Sequence, residues 1–390
     1  MPRTSRGIAH QLPDPGLAGA IFGLLSLGLV MVFSASAPLA AEQLGSPFQV
    51  AGRQMVYALI GLAGGTVCAL IPPERWRQLA PAILLIGLVA LVLVLIPGVG
   101  KEVSGSHRWL SLGPVRVQVS EAFKVAFVLY LASYLVRKGQ DRLATFTGGL
   151  LPILVIAAVS AGLLLAEPDF GSAAMVVGTG LVMGFLGGLR LRHLLGTALA
   201  ALPLGAWAVF GSDYRYQRVV AFLDPQADPQ GSGFQLRQSL IAFGRGEYDG
   251  VGLGDGIQKL FYLPEPHTDF IFAVIGEELG LVGTLGVLAL YALLIQRGFT
   301  VAQRAPDAYS RLVAQGLTFI IGFQAVAHMG VNLGLLPTKG LTLPLVSYGG
   351  SSLVTTLGAL GILVSIDRAG RRREGREGFG RRPAPTGVAA

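Results

Sequence analysis

The chain has 390 residues, of which 52% are hydrophobic and 13% are charged, and its formal net charge is +8. A soluble domain carries about 25% charged residues, so this composition excludes an ordinary soluble protein and indicates a polytopic membrane protein. The single cysteine, Cys68, excludes an intrachain disulfide and a metal cluster built from cysteines.

Apolar runs divide the chain into predicted helices. A transmembrane helix needs about 20 predominantly apolar residues, and runs close to this length lie at 17–37, 54–71, 80–97, 119–136, 149–166, 171–189, 193–211, 270–296, 312–335 and 344–366. The first run contains an A-x-A pattern like that of a signal peptide, but it is too long and Pro38 follows directly. We therefore predict an all-α polytopic membrane protein with about ten transmembrane helices, the first of them retained.

The distribution of basic residues predicts the orientation. If the N-terminus is cytoplasmic, nineteen of the 30 Lys and Arg residues fall in cytoplasmic segments, as the positive-inside rule requires. The predicted layout is a cytoplasmic segment 1–16, a transmembrane domain 17–366 and a disordered basic cytoplasmic tail 367–390, with a large periplasmic loop 212–269 between helices seven and eight. The positive charge favours anionic lipid headgroups as neighbours, and no nucleic-acid partner is expected.

Two of the predicted periplasmic loops are long. They cover residues 98–118 and 212–269, and loops of more than about 15 residues are usually functional. The run GVGLGDG, residues 250–256, lacks the flanking strand and helix of a phosphate-binding loop, so a flexible loop is the preferred interpretation. Because no nucleotide motif is present, ATP-driven transport is not expected.

The stretch FYLPEPHTDFIFAVIGEELG, residues 261–280, carries acidic residues into an apolar run. Pro264 and Pro266 delay the start of the eighth helix, and Thr268 is a good N-cap. Asp269 would then lie in the first turn. Two interpretations are open: Asp269 only complements the helix dipole, or it is a catalytic proton acceptor or cation ligand, since the dipole favours its ionised form.

Glu277 and Glu278 follow deeper in the same run. At about 100° per residue they are rotated by about 80° and 180° from Asp269, so they cannot both face its cavity. A carboxylate at this depth is costly unless it is paired or hydrated. An ion pair that locks two helices and a functional acid are equally open interpretations.

Charged residues also gather at the outer ends of other predicted helices. Glu121 and Lys124, at i and i+3, would either bridge each other or face a cavity. Asp169 lies in the tight turn between helices five and six, and Lys339 precedes the last helix. This pattern predicts a polar cavity open to the periplasm, for a substrate with a hydroxyl to deprotonate and a negative charge to neutralise.

Arg108 and Trp109 fit the same predicted cavity. The guanidinium would clamp a charge and the indole would stack on a sugar or headgroup, although an interfacial tryptophan is also an ordinary membrane anchor. The arginines of YRYQR, residues 214–218, would serve an anionic headgroup equally well.

Five motifs carry a resemblance to a known family. They are GSHRWLSLGPVRVQVSEAFK, EPDFGS, FLDPQADPQGSGFQLRQSLIAFGRGE, GLGDGIQKLFYLPEPHTDFIFAVIGEELG and LPTKGLTLPLVSYGGSS. From the first helix to the last, the chain resembles the SEDS family of shape, elongation, division and sporulation proteins, and IAFGRGE and IQKLFYLPE are closer to its division branch than to its elongation branch. It departs from the family at Val119, usually Pro, and at Phe170, usually Leu, and neither change removes a charged group.

The resemblance implies a SEDS fold and a peptidoglycan glycosyltransferase that polymerises lipid II at the periplasmic face of the inner membrane, at the division septum. A hydroxyl of the acceptor lipid II would attack the anomeric carbon of the growing strand, and undecaprenyl pyrophosphate would leave. Asp269 would be the base or a ligand that orients the acceptor. Substrate binding is expected within the motifs at Arg108, Trp109, Glu121, Lys124, Asp169, Lys259, His267, Lys339, Ser347 and Tyr348.

The resemblance also implies partners. These are lipid II, the undecaprenyl-linked glycan strand, a class B penicillin-binding protein resembling the transpeptidase FtsI, and division proteins such as FtsQ, FtsL, FtsB and FtsN. The motifs specify no cofactor and leave a metal requirement open, and basic residues or a divalent cation would offset the pyrophosphate charge.

Three alternatives stay open: a lipid II flippase, an elongation polymerase of the same family, and a scaffold that only recruits the transpeptidase. The one-sided long loop and the lack of an internal repeat disfavour the flippase, and a scaffold leaves the intramembrane acids unexplained.

Overall fold

A computed structural model describes residues 13–103, 106–112, 115–211, 213–224, 232–260, 262–338 and 340–380. Helices dominate the structure. They are α1 Pro15–Leu44, α2 Gln49–Leu70, α3 Pro73–Leu95, α4 Val119–Leu143, α5 Leu151–Ala166, α6 Phe170–Leu186, α7 Leu191–Phe210, α8 Asp213–Leu223, α9 Ser232–Gly246, α10 Ile271–Arg304, α11 Ala308–Asn332 and α12 Gly350–Gly380.

The membrane-spanning architecture predicted from the apolar runs is confirmed. Among the described residues, eight helices are long and apolar enough to cross a membrane: α1 to α4, α5 with the π-helical turn Phe146–Leu150 before it, and α10 to α12. The helix α6 is apolar but has only 17 residues, and the predicted run 193–211 forms α7. The helix α12 continues past residue 366 to Gly380, and the end of the transmembrane domain at residue 366 stays a prediction.

The centre of the bundle is formed by α4, α11 and α12, whereas α2 and α3 expose most of their apolar side chains at its edge. Glycines let α2 approach α12 closely. A Cβ at Gly65 would lie 2.6 Å from the carbonyl oxygen of Leu357, and a Cβ at Gly361 would overlap the backbone of Gly65. Small residues commonly allow such backbone contact between membrane helices.

The described parts of the two long loops contain regular secondary structure, and the predicted helical fold is therefore joined by a small sheet that was not predicted. Residues 98–118 contain an antiparallel sheet of β1 Gly100–Val103, β2 Ser106–Leu112 and β3 Val115–Gln118, in that order. The third strand, VRVQ, alternates in polarity, which favours a strand over a helix. The 212–269 loop contains α8 and α9.

The helix α10 is broken at Gly280, whose backbone lies at φ 62° and ψ −158°. The chain segment that precedes α10 packs into this break, where the Leu281 N–H donates to the carbonyl oxygen of Glu247 at 3.0 Å. A Cβ at Gly280 would overlap the backbone nitrogen of Gly250. Both the positive φ and the close approach require glycine.

Residues 254–258 bind two carboxylates, so the interpretation of the run 250–256 as a flexible loop was wrong. The Gly254 N–H donates to Glu278 Oε2, and the Ile257 N–H donates to Glu277 Oε1, each at 3.0 Å. Closely spaced glycines allow backbone N–H groups to surround an anion. Here the anions are side chains of the same chain.

The N-terminal end of α1 and the C-terminal end of α12 lie at the end of the bundle opposite Asp269. The helix α10 runs from beside Asp269 to Arg304, whose backbone lies against Gly370 of α12. At that end Arg371 donates to the Asp14 carboxylate at 3.0 Å. The two ends of the transmembrane region therefore share one side, as an even number of crossings requires.

Candidate active site

Asp269 lies just before the first half of α10 and not in its first turn. The helix begins at Ile271 with Phe270 as N-cap, and no side chain caps it. The prediction that Thr268 is the N-cap was wrong. Its hydroxyl donates instead to Glu265, at 3.3 Å to the carbonyl oxygen and 3.1 Å to the carboxylate, because a local turn competes for threonine hydroxyls.

One face of α11 holds the backbone around Asp269. Gln324, His328 and Asn332 are spaced four residues apart, so they lie on one side of the helix. Asn332 Nδ2 donates to the carbonyl oxygen of Asp269 at 3.0 Å, and its Oδ1 accepts from the Ala273 N–H at 3.1 Å. The Asn332 side chain therefore connects Asp269, which precedes α10, to Ala273 in the first turn of α10.

The same face fixes the loop between α11 and α12. Gln324 Nε2 donates to the carbonyl oxygen of Thr342 at 3.0 Å, and His328 Nδ1 lies 2.6 Å from the carbonyl oxygen of Leu341. Gln324, His328 and Asn332 are all buried. The α11 face thus holds the loop and the start of α10 in one fixed arrangement.

The loop also binds the residues before Asp269. Ser347 Oγ donates to the carbonyl oxygen of Thr268 at 2.7 Å, and the Tyr348 N–H donates to that of His267 at 2.8 Å. The His267 and Tyr348 rings are 5.4 Å apart. Burial lowers the pKa of His267, and a nearby glutamate opposes this, so the imidazole is neutral at neutral pH and offers a substrate no positive charge.

Charged groups surround the Asp269 carboxyl. Burial and the charge of Glu265 raise the pKa of Asp269 to about 7, while Arg218 and Arg108 lower it. The loop approaches from the other side at Gly340, where a Cβ would lie 3.3 Å from Asp269 Oδ2. At neutral pH this carboxyl is therefore divided between its protonated and ionised forms.

Arg108 positions the turn between α5 and α6. Its Nε donates to the carbonyl oxygen of Glu167 at 3.3 Å, and a terminal nitrogen donates to that of Pro168 at 2.7 Å. Asp169 caps α6 by accepting from the Ser172 N–H at 3.0 Å. Burial and Asp169 raise the pKa of Glu167 to about 8, with Arg108 opposing, so this carboxyl is largely protonated at neutral pH.

Glu121 and Lys124 form the bridge that their spacing allowed. Lys124 Nζ lies 2.9 Å from Glu121 Oε1 and 2.9 Å from Gln324 Oε1. The Lys124 and Glu121 side chains are only 2% and 9% exposed. Through Gln324 the pair contacts the loop that approaches Asp269, and a direct role of Lys124 in binding substrate stays a prediction.

Lys259 belongs to a different cluster. Its Nζ donates to Ser34 Oγ at 3.0 Å, to the carbonyl oxygen of Gly254 at 2.6 Å and to Glu278 Oε1 at 2.6 Å. An ammonium group has three donors, so all of them are used. Glu277 in turn lies 3.2 Å from Arg245, and of the two interpretations of the paired glutamates the structure supports ion pairs.

Two further predicted residues complete the set. Trp109 lies partly buried in β2 beside Arg108, and Lys339 lies outside the described residues. Across the described ranges, no group of three or more His, Cys, Asp or Glu side chains is placed to hold a metal ion.

Sequence reasoning did not select the α11 face. Its signal was available, since Gln324, His328 and Asn332 recur every four residues in an otherwise apolar run, the pattern of a one-sided polar helix. Arg218 was considered only as part of YRYQR. It donates to the carbonyl oxygen of Thr338 at 2.9 Å, a contact that depends on how the 212–269 loop folds.

Comparison with known proteins gives consistent matches. A family model for cell cycle proteins of the FtsW, RodA and SpoVE type matches residues 17–372. A probable peptidoglycan glycosyltransferase FtsW of Nitrosococcus halophilus is 50% identical over 369 residues, covering 94% of this chain and 95% of the relative. The protein of the same description from Legionella pneumophila is 46% identical over 364 residues, covering 93% and 92%.

Solved structures agree with these relatives. A chain from a peptidoglycan synthase complex, described as showing structural coordination of polymerization and crosslinking, is 35% identical and superposes with a TM-score of 0.77, covering 92% of this chain and 98% of its own. The crystal structure of the Thermus thermophilus rod shape determining protein RodA is 31% identical with a TM-score of 0.67, covering 91% and 97%.

Proposed function

The chain belongs to the FtsW/RodA/SpoVE family of cell cycle proteins, the SEDS family that its motifs resemble, and from this premise we propose that it is a peptidoglycan glycosyltransferase. It polymerises lipid II into glycan strands and releases undecaprenyl pyrophosphate. The observation that carries the proposal is the Asp269 carboxyl, which has a pKa raised to about 7 and lies near two arginines.

In the proposed reaction, Asp269 accepts a proton from the acceptor sugar hydroxyl. The hydroxyl oxygen forms a bond to the anomeric carbon of the growing strand as the bond from that carbon to the pyrophosphate oxygen breaks. A base is most effective when its pKa lies near the working pH. The raised pKa makes the ionised Asp269 a stronger proton acceptor than an ordinary aspartate, and Asn332 fixes its backbone.

The leaving pyrophosphate develops negative charge, and fixed cationic groups stabilise such charge best where water is excluded. Arg108 and Arg218 are the described cations near enough to Asp269 to affect its pKa. Both are anchored to backbone carbonyl oxygens of the surrounding loops. We assign them the task of orienting the pyrophosphate, with Lys339 as a further candidate from the sequence.

We further propose that the site faces the periplasm and works in cell division beside a class B penicillin-binding protein. The relatives at 50% and 46% identity are named FtsW, whereas the similar RodA structure is 31% identical. The similar synthase complex couples polymerization to crosslinking. A polymerase partnered with a transpeptidase at the septum of the inner membrane fits these resemblances best.

The orientation is tested with reporters that are active only in the periplasm. A reporter inserted after Gly231, in the loop before α9, is expected to be active, and one fused after Gly380 is expected to be inactive, because the basic residues concentrate at the opposite end. Immunoblots of both fusions control for their amounts. The reverse pattern would place Asp269 in the cytoplasm and remove the proposed function.

A divalent cation would have few protein ligands here. Magnesium in phosphate-transfer sites commonly uses one or two carboxylates, with water and substrate phosphates as its other ligands. Asp269 and Glu265 are two acids of the site whose charges influence each other, so a cation bound there would be held mainly between them and the substrate pyrophosphate. EDTA is therefore expected to leave the melting temperature of the substrate-free protein unchanged, whatever its effect on synthesis.

The direct test is strand synthesis from purified lipid II. The full chain is reconstituted in liposomes with its cognate transpeptidase, whose crosslinking is blocked by a β-lactam, and the products are resolved by gel electrophoresis. Long strands are expected. Transport of lipid II without polymer, measured in the same liposomes, would instead support the flippase alternative.

The pH dependence of synthesis follows from the Asp269 pKa. A raised pKa means that the protonated form persists to higher pH, so one unit below a pKa of about 7 only about a tenth of the carboxyl is ionised. A base must be ionised to act. We therefore expect kcat/KM to rise with pH and reach half its maximum near the Asp269 pKa, whereas a profile that is flat from mildly acidic to mildly basic pH would exclude this role.

A further inference from the structure

A second polar cavity lies at the opposite end of the bundle from Asp269. It has a volume of about 430 Å³ and lies among the start of α3, the end of α4 and the start of α11. Its lining residues are Glu74, Arg77, Gln78, Pro81, Ser133, Arg137, Asp307 and Tyr309. None of them takes part in the proposed reaction.

The cavity holds two cationic and two anionic groups that do not pair with one another. Among the described residues, neither Arg77 nor Arg137 lies within ion-pair distance of a carboxylate. Arg137 Nε donates to the carbonyl oxygen of Ser133, which leaves its terminal nitrogens available. Asp307 caps α11 through Ser310 at 3.0 Å, and Glu74 forms no ion pair with another described residue.

Tyr309 provides an independent sign of a ligand. The residue lines the cavity and is 2% exposed, and its hydroxyl has no hydrogen-bond partner among the described residues. A buried polar group without a partner costs free energy unless a water or a ligand binds it.

The lipid-facing side of α3 continues from the cavity. Gln78 lines the cavity, and Leu85 and Val89, which are exposed by 62% and 49%, lie on the same helix face at i+7 and i+11. An acyl chain whose headgroup occupies the cavity would lie along this face. Free phosphate or a soluble peptide would leave the apolar face unused.

We propose that this cavity binds the headgroup of phosphatidylethanolamine. The phosphate binds Arg77, Arg137 and the Tyr309 hydroxyl, and the primary ammonium binds the carboxylates of Glu74 and Asp307. A lining with two positive and two negative side chains matches a zwitterion better than a purely anionic headgroup. Polar pockets between helices on the cytoplasmic side are a recognised form of headgroup site, and this side follows from the orientation proposed above.

The test measures thermal unfolding of the purified, delipidated full chain as short-chain lipids are added. Dihexanoyl phosphatidylethanolamine is expected to bind more tightly than the phosphatidylglycerol or phosphatidylcholine analogues, by up to about fivefold for each ammonium–carboxylate pair. Equal binding of all three lipids, or tighter binding of phosphatidylglycerol, would overturn the proposal.

Variants separate the two halves of the headgroup. The double variant Arg77→Gln with Arg137→Gln should bind all three lipids more weakly. The variant Glu74→Gln should still bind the phosphate but should lose most of the preference for ethanolamine. The matched control is Arg190→Gln with Arg192→Gln, two exposed arginines at the same end of the bundle but outside the cavity. Tyr309→Phe removes only the unpartnered hydroxyl, so it should fold and bind all three lipids more weakly. The site would be refuted if Tyr309→Phe bound the lipids as tightly as the parent chain, or if the double arginine variant bound them as tightly as its control.

Discussion

Asp269→Asn is expected to reduce strand synthesis from lipid II by about 10²- to 10⁴-fold, the usual contribution of a general base. The amide keeps the size of the carboxyl but cannot accept a proton. The Asn332 bond to the backbone of residue 269 does not depend on the side chain, so the melting temperature should stay close to that of the parent chain. Both quantities are measured on the same reconstituted preparation.

Asp249→Asn is the matched control for this experiment. Asp249 is an exposed aspartate in the turn after α9, on the same side of the bundle, and the substitution makes the same change of a carboxyl to an amide. It should leave synthesis unchanged. Near-normal strands from a well-folded Asp269→Asn protein would remove Asp269 from the reaction, and the remaining candidate would be Glu167, whose pKa is also raised, to about 8.

The helices could be predicted because each apolar run within the membrane must form the hydrogen bonds of its own backbone N–H and C=O groups. The start of α10 was predicted two residues too early, with Thr268 instead of Phe270 as the N-cap. Thr268 has the chemistry of an N-cap, but its hydroxyl donates to the carbonyl oxygen and the carboxylate of Glu265 in the preceding turn. Short-range competition of this kind depends on the path of the turn, which residue preferences do not specify.

The position of Asp269 was predictable, but the groups that hold it were only partly so. The spacing of Gln324, His328 and Asn332 indicates a polar face on α11. It does not indicate that this face binds the loop after α11 and the residue before α10 at once. Such contacts join distant segments, and the sequence carries no periodic signal for them.

The surroundings of Lys259 could not be predicted for the same reason, because they depend on contacts between distant segments. Lys259 stands in the motif that resembles the family, ten residues before Asp269, so a role in substrate binding was reasonable. In the structure the chain passes through the break in α10 at Gly280, and this path brings residues 250–259 against Glu277 and Glu278. The contact between Lys259 and Glu278 therefore depends on the helix break at Gly280.

Lys259→Met is expected to destabilise the protein by about 3 to 5 kcal/mol, the cost of removing one partner from a buried ion pair. The Lys259 and Glu278 side chains are 4% and 0% exposed, so the remaining carboxylate would be buried without its cation. Arg245→Met is the matched comparison. It should cost less, because Arg245 is 36% exposed and Glu277 keeps its bonds from the Ile257 and Gln258 N–H groups.

The double variant Lys259→Met with Glu278→Gln decides between a structural and a substrate-binding role. Neutral groups often replace a buried pair with little loss, and the glutamine can still accept from Ser34 and the Gly254 N–H, which contact Glu278 in the parent chain. We therefore expect the double variant to recover most of the melting temperature and to synthesise strands. If it is stable but makes no polymer, Lys259 contacts the substrate in a conformation that breaks its bond to Glu278, and the ion pair is only its resting partner.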